Sequence, residues 1–404
     1  MQAVAQRDDR HPFAPFRRHQ RFAPGAGVVR ERGLADVDDI ERPARASSGN
    51  LLLPRSMTAS KVAPTGGEAR AEGESGSMPR VLVVTNMWPT PERPAYGAFV
   101  AAQVASLRAA GVALEVLVIR GDRNPADYLT GIARVRTRAR AMRADVVHAH
   151  YGLAGWTASW QRIPMVVSFC GTDLLGAAAP SGATTVKSRV AMAMSQFAAT
   201  RAARIICKSD NLRQALRRPR DRQRAVVIPN GVDLCHFSPG DQAAARSRLG
   251  LPEAARLVLF ACSAQSPNKR LELARAAMEL ARANLPDASL LEISGVPHDH
   301  MPDYYRAADC LVLTSRSEGS PNVVKEAIAC GLPVVSVDVG DVRRWLDPIP
   351  GCAVVEESPA ALANAVGAVL EHRLRIDGSV VLPHFDQAAI AQQLLALYQA
   401  MIPA

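Results

Sequence analysis

Two glutamates eight positions apart, Glu318 and Glu326, lie in the segment Ser317-Glu318-Gly319-Ser320-Pro321-Asn322-Val323-Val324-Lys325-Glu326-Ala327. Carboxylates accept hydrogen bonds from sugar hydroxyls, and the N–H groups and dipole of a helix N-terminus hold phosphate. The elements that must position the pair are legible on both sides. The apolar run 310–314 reads as a buried strand. Ser320 is a suitable N-cap, Pro321 suits the first helical position, and Gly331 followed by Pro333 closes the helix. Residues 334–338 read as the next strand. Glu318 is therefore expected in the crevice loop of a β-α-β unit and Glu326 about a turn and a half into its helix. Ligands of open α/β sheets bind at such carboxyl strand ends. The arrangement suits a nucleotide sugar. Either glutamate alone also reads as an ordinary complement to a helix dipole.

The chain has 404 residues, long enough for two domains, and 48% of them are hydrophobic. Five lysines stand against 43 arginines, which makes a lysine inside a motif notable. The seven cysteines, Cys170, Cys207, Cys235, Cys262, Cys310, Cys330 and Cys352, show no CxxC spacing and read as buried free thiols of a reducing compartment. No apolar run has the length of a membrane span, and the first residues lack a signal-peptide core. The expected location is the cytoplasm, with peripheral contact at the inner face of the plasma membrane as an added expectation. The net charge of +10 is uneven. Segment 201–224 carries nine basic residues against two aspartates, and Arg134, Arg136, Arg138, Arg140 and Arg143 form a second cluster. These read either as solvated faces or as contacts for an anionic lipid surface or polyanionic acceptor. Nucleic acid is disfavoured because no aromatic residues are interleaved with the arginines.

Residues 1–77 mix Arg, Pro, Gly, Ala and Ser without helical or strand period, and are expected to be disordered or a mis-assigned start. From Arg80 strands and helices alternate. Strands are expected at 81–85, 114–119, 145–149, 165–169, 204–207 and 226–228, with helices at 98–110, 127–143 and 187–202 between them. A second series follows, with strands at 257–262 and 289–294 and helices at 271–283, 302–308, 360–372 and 387–401. Alternation of this kind implies parallel sheets covered on both faces, hence an α/β fold.

Other residues suggest chemistry. Lys269 follows a strand and an irregular loop, where it reaches a diphosphate as a point charge or is simply a surface lysine beside Arg270. His148 and His150 end a buried strand; they are expected on opposite faces, so that only one meets the crevice. Gly97 enters a helix, and Gly171 precedes Thr172-Asp173; both glycines allow close backbone approach. Asp173 either orients an acceptor hydroxyl or caps the next helix. Asn230-Gly231 reads as a structural turn. G-x-G-x-x-G, Walker, HExxH and GxSxG patterns are missing, which disfavours dinucleotide oxidoreductases, P-loop enzymes, zinc proteases and α/β-hydrolases.

These segments, in order, resemble the E-x7-E glycosyltransferases of family 4. The resemblance rests on His148-Ala149-His150-Tyr151-Gly152, Ser168-Phe169-Cys170-Gly171-Thr172-Asp173, Val227-Ile228-Pro229-Asn230-Gly231-Val232-Asp233, Asn268-Lys269-Arg270, Glu318 to Glu326, and Val337-Asp338-Val339-Gly340-Asp341-Val342. It implies the GT-B fold, two Rossmann-like domains facing across a cleft. The acceptor domain would span 78–236 and the donor domain 237–385, with the helix within 386–404 crossing back to the first. It implies a retaining hexosyltransferase-type enzyme of EC class 2.4, acting in glycan, exopolysaccharide or glycolipid synthesis. The substrates would be a UDP- or GDP-linked sugar donor and a glycan or lipid-linked acceptor, with no metal or other cofactor required. By the same resemblance Glu318 and His150 are catalytic. Lys269, Arg270, Glu326, Gly319, Ser320, Asn322 and Val323 bind the donor, and Gly97, Gly171 and Asp173 line the acceptor or phosphate loop. Relatives often carry His where this chain has Cys170, and Arg where it has Ala264. An inactive scaffold of a polysaccharide-assembly complex and a GT-B nucleotide-sugar epimerase are the alternatives.

Overall fold

The computed structural model describes residues 78–176, 185–261 and 266–402. The expectation for residues 1–77 lies outside the described residues, as do Ala264 and Cys262.

Short runs rich in Val, Ile and Leu form two wholly parallel sheets. The first holds β1 (Arg80–Thr85), β2 (Ala113–Val118), β3 (Val146–His150), β4 (Met165–Phe169), β5 (Arg204–Cys207) and β6 (Ala225–Val227), in the order β2-β1-β3-β4-β5-β6. The second holds β7 (Arg256–Ala261), β8 (Ala288–Ile293), β9 (Cys310–Leu313), β10 (Val334–Val337) and β11 (Ala353–Val355), in the order β11-β10-β9-β7-β8. Near-continuous apolar runs are what strands buried on both faces require. Strand alternation sorts the first sheet's residues between two cores. Leu82 and Val84 pack under the helices Asp127–Ala141, Gly152–Ala158 and Val186–Arg201. Val81 and Val83 pack on the other face with Val104 and Leu107 of the helix Ala98–Ala109. That second core is completed by Ile390, Ala391, Leu394 and Tyr398 of the last helix, Gln387–Gln399. Asp386 caps this helix by accepting from the N–H groups of Ala388 and Ala389. Ser106 Oγ donates to Gln387 O at 3.1 Å and Gln387 Nε2 to Ala102 O at 3.2 Å. The last described helix is thus fastened to the first.

Each sheet reverses its order at one place. In the first it lies between β1 and β3, in the second between β7 and β9. Loops leaving neighbouring strands diverge at such a point and open a crevice at the carboxyl ends. The loops that begin after Thr85, His150 and Leu313, together with residues 266–270, therefore bound the candidate site.

The elements depart from expectation in two places. Segment 201–224 holds, beyond the expected strand β5, the short helices Asp210–Gln214 and Pro219–Arg224, which the sequence reading did not place. Several of its charges are answered internally. Arg213 pairs with Asp210 at 2.7 Å, Arg224 with Asp221 at 2.6 Å, and Arg222 donates to the carbonyls of Leu216 and Arg217. Helices at Gly152–Ala158, Gln242–Leu249 and Val342–Leu346 go beyond the sequence reading.

Candidate functional site

At the carboxyl end of β9 the chain is stitched to the segment 268–270. Thr314 Oγ1 donates to the carbonyls of Lys269 (2.7 Å) and Arg270 (3.0 Å). Asn268 Nδ2 donates to Ser317 O at 2.8 Å, and Arg316 N donates to Asn268 O at 2.8 Å. This brings Lys269 Nζ within 2.6 Å of Glu318 Oε1. Arg270, expected beside the donor, turns away instead: its guanidinium donates to the carbonyls of Thr314 and Ser315 and pairs with Glu357. It braces the loop that carries Glu318.

The helix that follows runs Asn322–Ala329, and Pro321 is its N-cap, one position later than expected. Ser320 does not cap it. Its hydroxyl instead accepts from Lys325 Nζ at 3.2 Å, and the same ammonium donates to Asn230 O at 3.1 Å. A lysine with no exposure needs oxygen partners more than the helix end needs a side-chain cap. Burial depresses the Lys325 ammonium to about 8. With no side-chain cap, the first-turn N–H groups of Asn322 and Val323 stay available to an anion. Asn230 Nδ2 also donates to Asn322 Oδ1 at 3.2 Å, so the turn read as structural joins the first half of the chain to this helix.

Glu326 lies 6% exposed and accepts from Tyr305 Oη at 2.7 Å, with His298 Nε2 at 2.9 Å on its other oxygen. Burial works to lower the His298 imidazole. The hydrogen bond and charge of Glu326 outweigh it, and the pKa ends above its ordinary value. Neither His298 nor Tyr305 was singled out from sequence. Tyr305 had a signal, an aromatic at the buried position of a short helix, Met301–Ala307.

On the first sheet the expectation for the two histidines is overturned. Residues two apart in a strand share a face, and the rings of His148 and His150 stack with centroids 4.2 Å apart. His148 is the core histidine: Nδ1 lies 2.6 Å from Tyr398 Oη of the last helix and Nε2 lies 2.7 Å from Ser168 Oγ. His150, at the strand's carboxyl end, meets Gln103 at 3.2 Å through Nε2, and its buried Nδ1 has no partner. Burial, then the neighbouring His148 and Lys208, hold the His150 imidazole neutral.

Asp173 is 1% exposed and accepts from the N–H groups of Gly171 (2.8 Å), Cys170 (3.1 Å) and Gly152 (3.2 Å). It therefore serves the first N–H of the helix Gly152–Ala158 as well as the start of its own, and pins the 170–171 loop between them. Its burial pushes the carboxyl pKa up, against the pull of those N–H groups. Gly97 has φ 78°, and a Cβ there would fall 2.4 Å from the Met87 carbonyl. Its close approach is to the chain's own 87–88 backbone.

The two halves of the site touch. Asn211 Nδ2 donates to Glu318 O at 3.0 Å. A Cβ on Gly319 would lie 2.8 Å from Leu212 Cδ1 and 3.0 Å from Cys170 O, so a larger residue there would force Leu212 and the 170 carbonyl to shift. Gly171, with φ 153°, faces Gly319 N across this junction. The structure thus brings Glu318, Lys269, Gly319 and Gly171 together, with Glu326 in the helix behind.

Two parallel-sheet Rossmann-like halves meeting at such a junction are the GT-B architecture. Residues 79–235 match the family model described as Glycosyltransferase Family 4, and residues 266–372 match that described as Glycosyl transferases group 1. The chain belongs to glycosyltransferase family 4. Relatives include a D-inositol 3-phosphate glycosyltransferase of Geodermatophilus obscurus, 32% identical over 61% of this chain and 64% of the relative. Another is D-inositol 3-phosphate glycosyltransferase 1 of Catenulispora acidiphila, 30% identical over 64% and 72%. The chain thus spans about two thirds of the length of these relatives. Among solved structures, the sucrose-phosphate synthase of Thermosynechococcus elongatus aligns with TM-score 0.64 at 19% identity, covering 80% of this chain and 99% of that one. Anabaena Alr3699/HepE in complex with UDP-glucose aligns with TM-score 0.58 at 18% identity, covering 79% and 99%. At these identities the likeness speaks for the fold.

Proposed function

We propose that the protein is a retaining glycosyltransferase that moves a sugar from a nucleotide-diphosphate donor to an acceptor hydroxyl. The observation that carries this is the Lys269–Glu318 pair at the crevice end of β9, with the uncapped N-terminus of the Asn322–Ala329 helix beside it. A departing nucleoside diphosphate develops negative charge. Fixed cations and helix N–H groups stabilise that charge without reorganising. In this reading Lys269 and the N–H groups of Asn322 and Val323 take the phosphates. Glu318 holds hydroxyls of the transferred sugar, and Glu326 the ribose hydroxyls. His150, neutral and with Nδ1 unpartnered, donates or accepts one further hydrogen bond to the sugar or leaving phosphate. Arg270 and Asp173 act by holding their loops.

UDP is the first donor base to try, because the fold relative from Anabaena was solved with UDP and UDP-glucose. The acceptor is a glycan or lipid-linked hydroxyl, or an inositol phosphate such as the relatives' names carry. No step in this reading is routed through a metal. The test is turnover with a panel of UDP- and GDP-sugars against both acceptor kinds, reading nucleotide release and the anomeric configuration of the product by NMR. Retained configuration is expected. An inverted product refutes the mechanism, an epimerised donor without acceptor points to epimerase chemistry, and binding with no release points to a scaffold.

A further inference from the structure

Lys208 follows the last residue of β5, at the carboxyl edge of the first sheet, and is 1% exposed. Its Nζ is buried without a hydrogen-bond partner. Burial works against its charge, and the groups around it offset that only in part and without a hydrogen bond. The groups that act on it electrostatically are the thiols of Cys170 and Cys207 and the carboxylate of Asp173. Burial holds both thiols protonated, pushing each up to about 12. Asp173 already accepts three backbone N–H groups. Lys325, the other buried ammonium of the junction, repels Lys208, and His148 and His150 stay neutral beside it.

An isolated buried ammonium is costly and persists only where something compensates it. The place is informative. Three residues on, Asn211 holds Glu318 O, and Leu212 touches the space at Gly319. Lys208 therefore stands where the first sheet abuts the Glu318 turn, with the unpartnered His150 Nδ1 as a second polar atom at the same strand ends. Lys269 lies on the opposite side, on the second sheet's loop.

We propose that Lys208 is an oxyanion-binding residue, whose ammonium donates to a phosphate oxygen of a ligand seated at the carboxyl ends of the first sheet's strands, on the side of His150. The proposal rests on the glycosyltransferase reading above for the location of the substrate. Two sources carry this chemistry: the diphosphate of the donor, and a phosphate on the acceptor.

The experiment compares the full-length protein with Lys208→Met and Lys208→Arg. Calorimetry measures affinity for UDP, for uridine, and for inorganic phosphate added to the UDP-loaded protein. Melting without ligand is recorded beside it. Lys208→Met is expected to leave uridine affinity unchanged and to weaken a phosphate-bearing ligand at least tenfold, with Lys208→Arg recovering part of the loss. A fall in UDP affinity assigns the donor diphosphate. Unchanged UDP affinity with phosphate binding lost assigns an acceptor phosphate. The unliganded Lys208→Met protein is expected to melt no lower than the parent, because a charge without a partner has been removed. Unchanged affinities overturn the proposal while leaving the donor site intact. A lowered melting temperature with unchanged affinities gives Lys208 a packing role instead. A parent protein that binds none of the three ligands overturns the proposal together with the glycosyltransferase reading.

Discussion

Replacing Glu318 with Gln removes one charge and keeps the shape of the side chain. In the free protein the carboxylate has Lys269 Nζ at 2.6 Å, with the two side chains 15% and 26% exposed. A partly solvated pair of this kind contributes at most about 1 kcal/mol, so the variant should melt within a few degrees of the parent. The functional loss is larger. A hydrogen bond to a charged acceptor contributes about 1.5–3 kcal/mol, or roughly 10- to 150-fold in affinity. If Glu318 meets the transferred sugar, the loss falls on the UDP-sugar and spares UDP. If it meets the nucleotide, both weaken alike. Calorimetric titration of parent and Glu318→Gln with UDP-glucose and UDP reads this difference directly, and Glu326→Gln supplies the contrast, weakening both ligands. Equal losses for the two ligands in Glu318→Gln, or no loss in either, would refute the assignment of Glu318 to the sugar.

Asp309, 4% exposed, accepts from Arg246 at 2.8 Å, Leu257 N at 2.7 Å and Gln242 Nε2 at 3.0 Å. Asp309→Asn leaves the buried Arg246 charge unpaired and should cost about 3–5 kcal/mol in urea unfolding, where a change under about 1 kcal/mol would contradict the packing described. The His298–Glu326 bond should be visible in pH. A raised imidazole pKa contributes stability that is complete below the ordinary value of 6.5 and fades as pH climbs through the higher folded value. The melting advantage of the parent over His298→Gln should therefore shrink as pH rises above 6.5, and an advantage that grows with pH would reverse the sign argued here. Anionic vesicles should bind the exposed arginines of the Asp127–Ala141 helix and Arg217, Arg218 and Arg220 with roughly 1 kcal/mol per residue, fading with salt. No sedimentation with such vesicles at low salt would make these faces merely solvated.

Much of this fold was legible because strand and helix alternate with clear punctuation. The strand Arg204–Cys207 falls where the pattern puts it, and the helices Leu271–Ala281 and Pro359–His372 begin within a residue of expectation. The helix Gln242–Leu249 was missed although Asp241 caps it through the Ala244 N–H, a signal hidden by Pro239-Gly240 just before it. Gly152–Ala158 carries two glycines in seven residues and is held by tertiary packing, which local propensity does not report. The proximity of Lys269 to Glu318 joins two motifs that the sequence presents separately. That Arg270 would brace a loop, that Ser320 would serve a buried ammonium, and that His298 and Tyr305 would hold Glu326 are contacts between segments distant in the chain. Spacing alone contains none of them. The histidine pair was misread for a different reason: the period of two was applied in the wrong sense.

The bond between His148 and Tyr398 spans 250 positions. A ribosome adding roughly 5–20 residues per second takes on the order of 10–50 s to cover that interval. For that time the face of the first sheet formed by Val81, Val83, Val146 and Val166 is made but lacks the Ile390, Leu394 and Tyr398 side chains that share its core. The entire second sheet emerges in between. The nascent chain therefore carries an unfinished apolar surface until its final helix leaves the exit tunnel. Premature termination ahead of Gln387 would release a product with that surface bare, a substrate for chaperones and proteases rather than a partial enzyme.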